Sequence, residues 1–101
     1  ELSNDILSPV SFELSQNYPN PFNPETTISF SIPNISEISL TIYDINGRVV
    51  DVVTEGVYSP GVYSFIWNGM NLSGELVPSG VYLYKLVTPS QTFTKHLTLI
   101  R

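Results

Sequence analysis

The amino-acid sequence predicts an all-β fold, from its apolar spacing, its turn residues and its lack of helical periodicity. Apolar and polar side chains alternate in at least five segments, which is the pattern of a strand with one buried face. Glycine and proline recur too often for any window to carry a helical apolar stripe. Hydrophobic residues make up 42% of the 101 positions and charged residues 13%, which indicates one globular domain rather than a disordered tail.

The alternation places the strands in order along the chain. Asn46-Gly47 predicts a tight hairpin with a type I′ turn, and residues 68–75 and 88–91 predict a loop and a turn. About seven antiparallel strands separated by such turns are typical of an immunoglobulin-like β-sandwich. The predicted strands are an entry segment near 10–14, then segments at 28–32, 38–42, 49–53, 63–67, 82–86 and 93–100.

The two ends of the chain differ in pattern from the alternating segments between them. Residues 1–9 are polar and do not alternate, so we interpret them as a linker from an upstream domain, and residues 10–101 as the folded domain. The first residues lack the charged-then-apolar pattern of a signal peptide, so an export signal would lie upstream. The final Ile100-Arg101 has the look of a natural chain end.

The segment 16–24 is rich in proline and asparagine. Its three prolines bias the residues before them toward extended geometry, so we expect a rigid segment pinned against a sheet. Tyr18 and Phe22 are expected to anchor it in the core. Its asparagines are expected to bond local backbone through Asx-turns. The residues concerned are Asn17, Pro19, Asn20, Pro21, Asn23 and Pro24.

Ordered blocks of the chain, from about Phe12 to its last residue, resemble a known family. They are similar to the type A C-terminal sorting domains of the type IX secretion system, and to the related immunoglobulin-like domain of flagellar hook-capping proteins. The blocks are residues 14–24 followed by 26–30, then 42–50, 61–69, 78–86 and 94–101.

The resemblance implies specific roles for two sets of residues. Lys95 and Arg101 match the family's terminal pattern, in which two basic residues bracket alternating apolar positions. The candidates for the sorting signal are Gly80, Lys95, Leu97, Leu99 and Arg101. The residues implied to support the structure are Asn17, Pro19, Asn20, Pro21, Phe22, Asn23, Pro24, Gly47, Trp67 and Gly69.

The function that the resemblance implies is sorting without catalysis and without a cofactor. The domain would direct a cargo protein in the same chain through the outer-membrane translocon, passing the periplasm and reaching the cell surface or the medium. A surface sortase-like peptidase would then be a further partner, and the domain itself would be a monomer. The alternative is a structural immunoglobulin-like module that mediates protein–protein assembly.

Composition excludes or disfavours several other classes. The net charge of −5 would repel a phosphate backbone, so nucleic-acid binding is not expected. The chain has no cysteine, so it can form neither disulfides nor thiolate metal sites. No apolar run approaches the ~20 residues of a transmembrane helix.

Three groups of residues are candidates for a catalytic, a calcium-binding and a sugar-binding site. His96 is the single histidine, and we expect it to be an exposed strand residue rather than part of a catalytic relay. The loop 68–75 offers oxygen ligands for calcium, but turn chemistry explains its asparagines and glycines without a metal, and calcium favours clustered carboxylates. Trp67 with Tyr63, Tyr82 and Tyr84 could form a sugar-stacking platform, although their shared parity favours a core role.

Overall fold

Seven strands form two antiparallel sheets in the computed structural model, which describes residues 9–101. This confirms the predicted all-β, immunoglobulin-like sandwich. The described residues contain no helix, and therefore none long and apolar enough to cross a membrane. The predicted linker lies outside the described residues except for Pro9. The strands are β1 (Glu13–Leu14), β2 (Thr26–Ile32), β3 (Ser36–Tyr43), β4 (Val49–Tyr58), β5 (Gly61–Trp67), β6 (Gly80–Val87) and β7 (Thr92–Leu99).

The order of strands is β1-β2-β5 in one sheet and β4-β3-β6-β7 in the other. The period-two alternation predicted for each strand sets which side chains meet between the sheets. Ile28, Phe30 and Ile32 of β2 are buried as predicted, and so are their counterparts on β3 and β6. Those counterparts are Ile38, Leu40 and Ile42 on β3, and Tyr82, Tyr84 and Leu86 on β6.

The hairpin between β3 and β4 differs from the prediction. A type I′ turn needs positive φ at both central residues, but within residues 9–101 only glycines have positive φ, among them Gly47 at 84°. Gly47 N–H donates to Asp44 O at 3.0 Å, as in a type I turn followed by a left-handed glycine. The Asp44 carboxylate accepts the N–H groups of Asn46 and Arg48, each at 2.9 Å, which favours this turn. The bond from the Arg48 N–H is the main cause that lowers the pKa of Asp44.

Strand β4 is also longer than predicted, because it continues past Val53 to Tyr58. Two register shifts interrupt its pairing with β3 near residues 50 and 53, and beyond them the exposure of its side chains alternates regularly. The less exposed positions there include Thr54 and Gly56, while the exposed Val57 is apolar, so the sequence shows no apolar period over this part of the strand.

Trp67 is buried, as predicted, with 2% of its surface exposed. Its ring lies 5.7 Å from that of Phe22 and 5.8 Å from that of Tyr82, so it joins the residues before β2 to the opposite sheet. The indole N–H donates to Met70 O at 3.0 Å, which satisfies the one polar group of this side chain. Trp67 is therefore a core residue and not part of a sugar-binding surface.

Candidate functional site

Most of the implied family residues gather at one end of the sandwich, which we call the motif end. At this end β2 begins, β5 ends at Trp67, β6 begins at Gly80 and β7 ends at Leu99. The Gly47 hairpin belongs to the same end, because β3 runs antiparallel to β6 and ends beside the start of that strand. Blocks that are up to eighty residues apart in sequence thus share one region.

The segment 16–24, called the strap below, crosses from one sheet to the other at the motif end. On one side Tyr18 and Thr27 of β2 exchange backbone hydrogen bonds of 3.0 and 2.9 Å. On the other side Phe22 N–H donates to Thr98 O, and Ile100 N–H donates to Phe22 O, both at 3.0 Å. The strap therefore covers the outer edge of the last part of β7, and the prediction of a segment pinned to a sheet is confirmed.

A buried polar network fixes the start of the strap. The Asn17 amide nitrogen donates to Pro19 O at 3.1 Å and to Thr26 Oγ1 at 3.0 Å, and Thr26 Oγ1 donates to Pro19 O at 2.8 Å. The Asn17 backbone N–H donates to Tyr84 Oη at 2.8 Å, and Tyr84 Oη donates to Ser15 O at 2.7 Å. Burial of this hydroxyl raises the pKa of Tyr84 to about 12. In the described residues no buried side-chain polar atom lacks a partner.

Three expectations for the strap are wrong in detail. Tyr18 does not anchor in the core, since 81% of its surface is exposed, whereas Phe22 is buried as expected. The side chain of Asn20 does not bond local backbone, because its Oδ1 accepts the N–H of Thr98 at 3.1 Å. Asn23 is exposed and makes no side-chain hydrogen bond within residues 9–101. The peptide bonds before Pro19, Pro21 and Pro24 are cis.

Arg101 joins the segment after β7 to the loop between β5 and β6 by hydrogen bonds. Its Nε donates to Val77 O at 2.6 Å and its Nη2 to Gly69 O at 2.7 Å, while its backbone N–H donates to Ser79 Oγ at 2.8 Å. A guanidinium suits this position because its planar fork presents several donors at fixed angles. We call this arrangement the Arg101 clamp.

Two separate observations favour glycine at position 69, one in its backbone and one in the clamp. Its φ of 75° lies in the left-handed region, where a side chain is disfavoured. A Cβ at this position would also lie only 2.8 Å from Nη2 of Arg101. Gly80 has no such neighbour; it begins β6 and pairs with Leu99.

The sorting-signal candidates on β7 occupy two environments. Leu97 and Leu99 are buried in the core, so their side chains are not on the surface of the folded domain. Lys95 is half-buried and shares their parity, so it stands on the core-facing side of an edge strand, where a charge discourages further pairing. Lys95 and Arg101 are six residues apart, which is about 20 Å along an extended chain. The structure does not bring these two cations together.

The loop 68–75 uses its amide oxygens to shape the chain. Asn71 Oδ1 accepts the N–H groups of Ser73 and Glu75 at 2.9 and 3.0 Å, and Asn68 Oδ1 accepts that of Met70 at 3.2 Å. These bonds explain the asparagines by turn chemistry. Within residues 9–101 no cluster of three or more acidic, histidine or cysteine side chains could hold a metal ion. His96 is exposed on β7, as expected.

Sequence reasoning missed the partners that complete the site. Gln16 Nε2 donates to His96 O at 2.7 Å and so extends the strap along β7. Tyr84 was predicted as a core residue from its parity, but its hydroxyl bonds were not. Val77 O and Ser79 Oγ accept hydrogen bonds from Arg101. Nothing in local sequence indicates these contacts, because each joins segments that are distant along the chain.

The model of one protein family, described as the FlgD Ig-like domain, matches residues 16–91. Over 46 residues the chain is 39% identical to the basal-body rod modification protein FlgD of Escherichia coli strain K12 and to that of Salmonella typhimurium. That alignment covers 46% of this chain and 20% of each of those proteins, so the chain matches only a small part of them.

Solved structures of two kinds share the fold. A crystal structure of dimeric latent PorU from Porphyromonas gingivalis superimposes with a TM-score of 0.70 at 18% identity, covering 89% of this chain and 9% of PorU. PorZ, described as an essential bacterial surface component of the type-IX secretion system of that organism, gives 0.61 at 26% identity over 90% of this chain and 12% of PorZ. FlgD from P. aeruginosa gives 0.58 at 28% identity over 73% of this chain and 61% of that FlgD.

The family match and the shared sandwich lead to one assignment. The likeness to PorU shows the fold alone, whereas the family model spans the strap, the Gly47 hairpin, Trp67 and all of β6. The chain belongs to the FlgD Ig-like domain family, and it is related to immunoglobulin-like parts of type IX secretion components.

Proposed function

We propose that residues 10–101 form a non-catalytic C-terminal sorting domain that directs an attached cargo protein through the type IX outer-membrane translocon to the cell surface. The observation that carries this proposal is the convergence at the motif end, where the strap, Trp67 and the end of β7 lie together and the Arg101 clamp bonds the segment after β7 to the loop after β5. A surface that is held in place before binding loses less conformational entropy than a flexible tail would.

The relatives support an exported setting for the proposal. PorZ is described as a surface component of the type-IX secretion system, and it resembles this chain over 90% of its length. In the proposal the domain passes the periplasm behind its cargo, with residues 1–9 as the linker. The partners are the translocon and, after export, a surface sortase-like peptidase.

Because several candidate residues are buried, a receptor in the translocon can contact only part of the candidate set. Leu97 and Leu99 are core residues, and the guanidinium of Arg101 already bonds two carbonyl groups. In the proposal these three residues hold the shape of the motif end. The receptor then contacts exposed groups around them, namely the outer surface of the strap and the chain near Lys95 and Ile100.

The test fuses the chain to a reporter in a host that has the secretion system. We compare Lys95→Ala, Arg101→Ala and deletion of residues 98–101 with Arg48→Ala, which removes an exposed cation from the same end without touching the clamp. The unfolding midpoint of each purified domain is measured in parallel, so that lost export can be separated from lost folding. We expect Lys95→Ala to reduce surface delivery without a matching loss of stability, and Arg48→Ala to be delivered normally. Normal delivery of all the variants would contradict the proposal.

A second function is favoured by a different observation. The family model that matches the chain is that of FlgD, and the P. aeruginosa FlgD is 28% identical over 73% of the chain. On this alternative the domain is a structural module that assembles with protein partners. A reporter that stays in the cell, together with a binding surface that does not need residues 95–101, would support this alternative over sorting.

A further inference from the structure

The outer edge of β5 is the least protected edge of the sandwich. Strand β7 is covered by the strap and carries Lys95 on its core-facing side, and β4 is interrupted by two register shifts and carries Asp51 and Glu55. Strand β5 (Gly61–Trp67) has no charge, no proline and no register shift, and within residues 9–101 it pairs only with β2. Long, regular, apolar edges of this kind are the ones that pair with another chain.

The direction of the free backbone groups on β5 follows from the bonds of β2. Ser29 O accepts Ser15 N–H, and Thr27 exchanges bonds with Tyr18, so these β2 residues face β1 and the strap. The alternate β2 residues therefore face β5 and bond its odd-numbered positions. The N–H and C=O groups of Val62, Ser64 and Ile66 are left pointing outward from the sheet.

The sequence of β5 is self-complementary about Ser64. If two copies pair antiparallel with Ser64 opposite Ser64, then Val62 lies opposite Ile66 and Tyr63 lies opposite Phe65. This register sets one β-branched residue against another and one aromatic residue against another, which are favourable cross-strand pairs. Because all three outward-pointing residues are even-numbered, the same register also gives each of their backbone groups a partner.

Charge and exposure agree with this pairing. The chain carries a net charge of −5, so two copies repel one another on average, and an uncharged contact surface adds least to that repulsion. Residues 56–74 contain no charged side chain, and β5 lies inside that stretch. Val62 and Ile66 are 69% and 63% exposed, although both are large apolar residues of a strand.

We propose that two copies of this chain associate through antiparallel pairing of their β5 strands about Ser64, joining their three-stranded sheets into one six-stranded sheet. This replaces the monomer that the sequence analysis expected. The pairing is twofold symmetric and therefore closes, since it uses up the open edge of both copies. It is independent of the sorting proposal, because the outward-pointing groups of Val62, Ser64 and Ile66 take no part in the Arg101 clamp or the strap.

The first test uses the absence of cysteine from the chain. In the proposed register the Cα atoms of the two Ser64 residues are about 5.5 Å apart, which is within the range of a disulfide. Ser64→Cys should therefore form a covalent dimer on mild oxidation. Val62→Cys is the matched control, because two copies of residue 62 would be displaced by four residues and too far apart to bond. A monomeric Ser64→Cys protein that keeps its thiol would overturn the proposal, and so would equal cross-linking of both variants.

The second test uses charge to report the register, with the oligomeric state measured by sedimentation over a range of concentrations. In the variant Val62→Lys with Ile66→Lys, two lysines lie opposite one another twice, and we expect association to weaken about tenfold or more. In Val62→Lys with Ile66→Glu, each lysine lies opposite a glutamate, so association should persist. Equal association of the two variants would overturn the proposal. Hydrogen exchange gives a further check: if the Val62, Ser64 and Ile66 amides were protected in a monomer, another segment or partner would cover the edge, and the proposal would also be overturned.

Discussion

The backbone N–H of Asn17 donates a hydrogen bond of 2.8 Å to the hydroxyl of Tyr84, which is 67 residues away in sequence. The same hydroxyl donates to Ser15 O at 2.7 Å, so the chain on both sides of Gln16 is held by one core side chain. Tyr84 belongs to the four-stranded sheet, whereas Ser15 and Asn17 follow β1 of the other sheet. This pair of bonds therefore ties the start of the strap to the opposite layer of the sandwich.

Replacing Tyr84 with phenylalanine should destabilise the domain by about 1–3 kcal/mol, because the Asn17 N–H loses a buried acceptor and Ser15 O loses a donor. Urea unfolding of the variant would measure the difference. Tyr18→Phe is the matched control, since Tyr18 is exposed, and should change the free energy of unfolding by less than about 0.5 kcal/mol. Equal values for the two variants would show that the hydroxyl of Tyr84 contributes nothing to stability.

Stability should fall at high pH. Burial raises the pKa of Tyr84 to about 12, from about 10 in an unfolded chain. The folded state thus keeps a proton that the unfolded state loses, so the stabilisation is complete below pH ~10 and is lost as the pH rises to ~12. The loss from this group should be up to about 2 kcal/mol. Unfolding curves at pH 9 to 12 would measure it, and Tyr84→Phe should flatten the dependence. Burial also raises the pKa of Tyr82, so a smaller slope should remain.

The Arg101 clamp should couple Arg101 to Gly69. Arg101→Ala removes two charged hydrogen bonds to carbonyl groups and should cost about 1–3 kcal/mol, which is more than a simple surface charge would. Gly69→Ala should destabilise both through its backbone conformation and by displacing the guanidinium. In the double variant no guanidinium remains to be displaced, so Gly69→Ala should add only its backbone cost. The destabilisation of the double variant should therefore be smaller than the sum of the destabilisations of the two single variants. Strict additivity in this double-mutant cycle would mean that the contact between the two residues is not energetically important.

Trp67→Ala should cost about 3–5 kcal/mol, since it leaves a cavity between Phe22 and Tyr82 at the junction of the two sheets. Leu72→Ala is the control, because Leu72 is exposed in the neighbouring loop. The thermal midpoints of both variants would give the comparison. A similar midpoint for Trp67→Ala and the unmodified protein would count against its structural role and in favour of a surface role.

The sequence predicted the strands and their buried faces well, because these follow from a local rule. Ile28, Phe30 and Ile32 alternate with serines, and that period alone tells which side of a strand faces the core. The burial of Trp67 followed from the same parity. The position of Gly47 in a turn was predicted, but the turn type was not, since the side chain of Asp44 favours it by accepting the N–H of Asn46 within the turn and that of Arg48 just after it.

The roles of Tyr18, Asn20 and Arg101 could not be derived in this way. Tyr18 and Phe22 are both aromatic residues of the strap, and only the path of the chain between the sheets decides that one is exposed and the other buried. Asn20 and Arg101 each bond backbone groups that lie many residues away. A hydrogen bond of this kind depends on where two distant segments meet, and the residue types alone do not encode that position. By itself, therefore, the sequence determined the strands, their buried faces and the family resemblance, whereas the tertiary structure decided which polar groups meet at the motif end and which edge of the sandwich stays open.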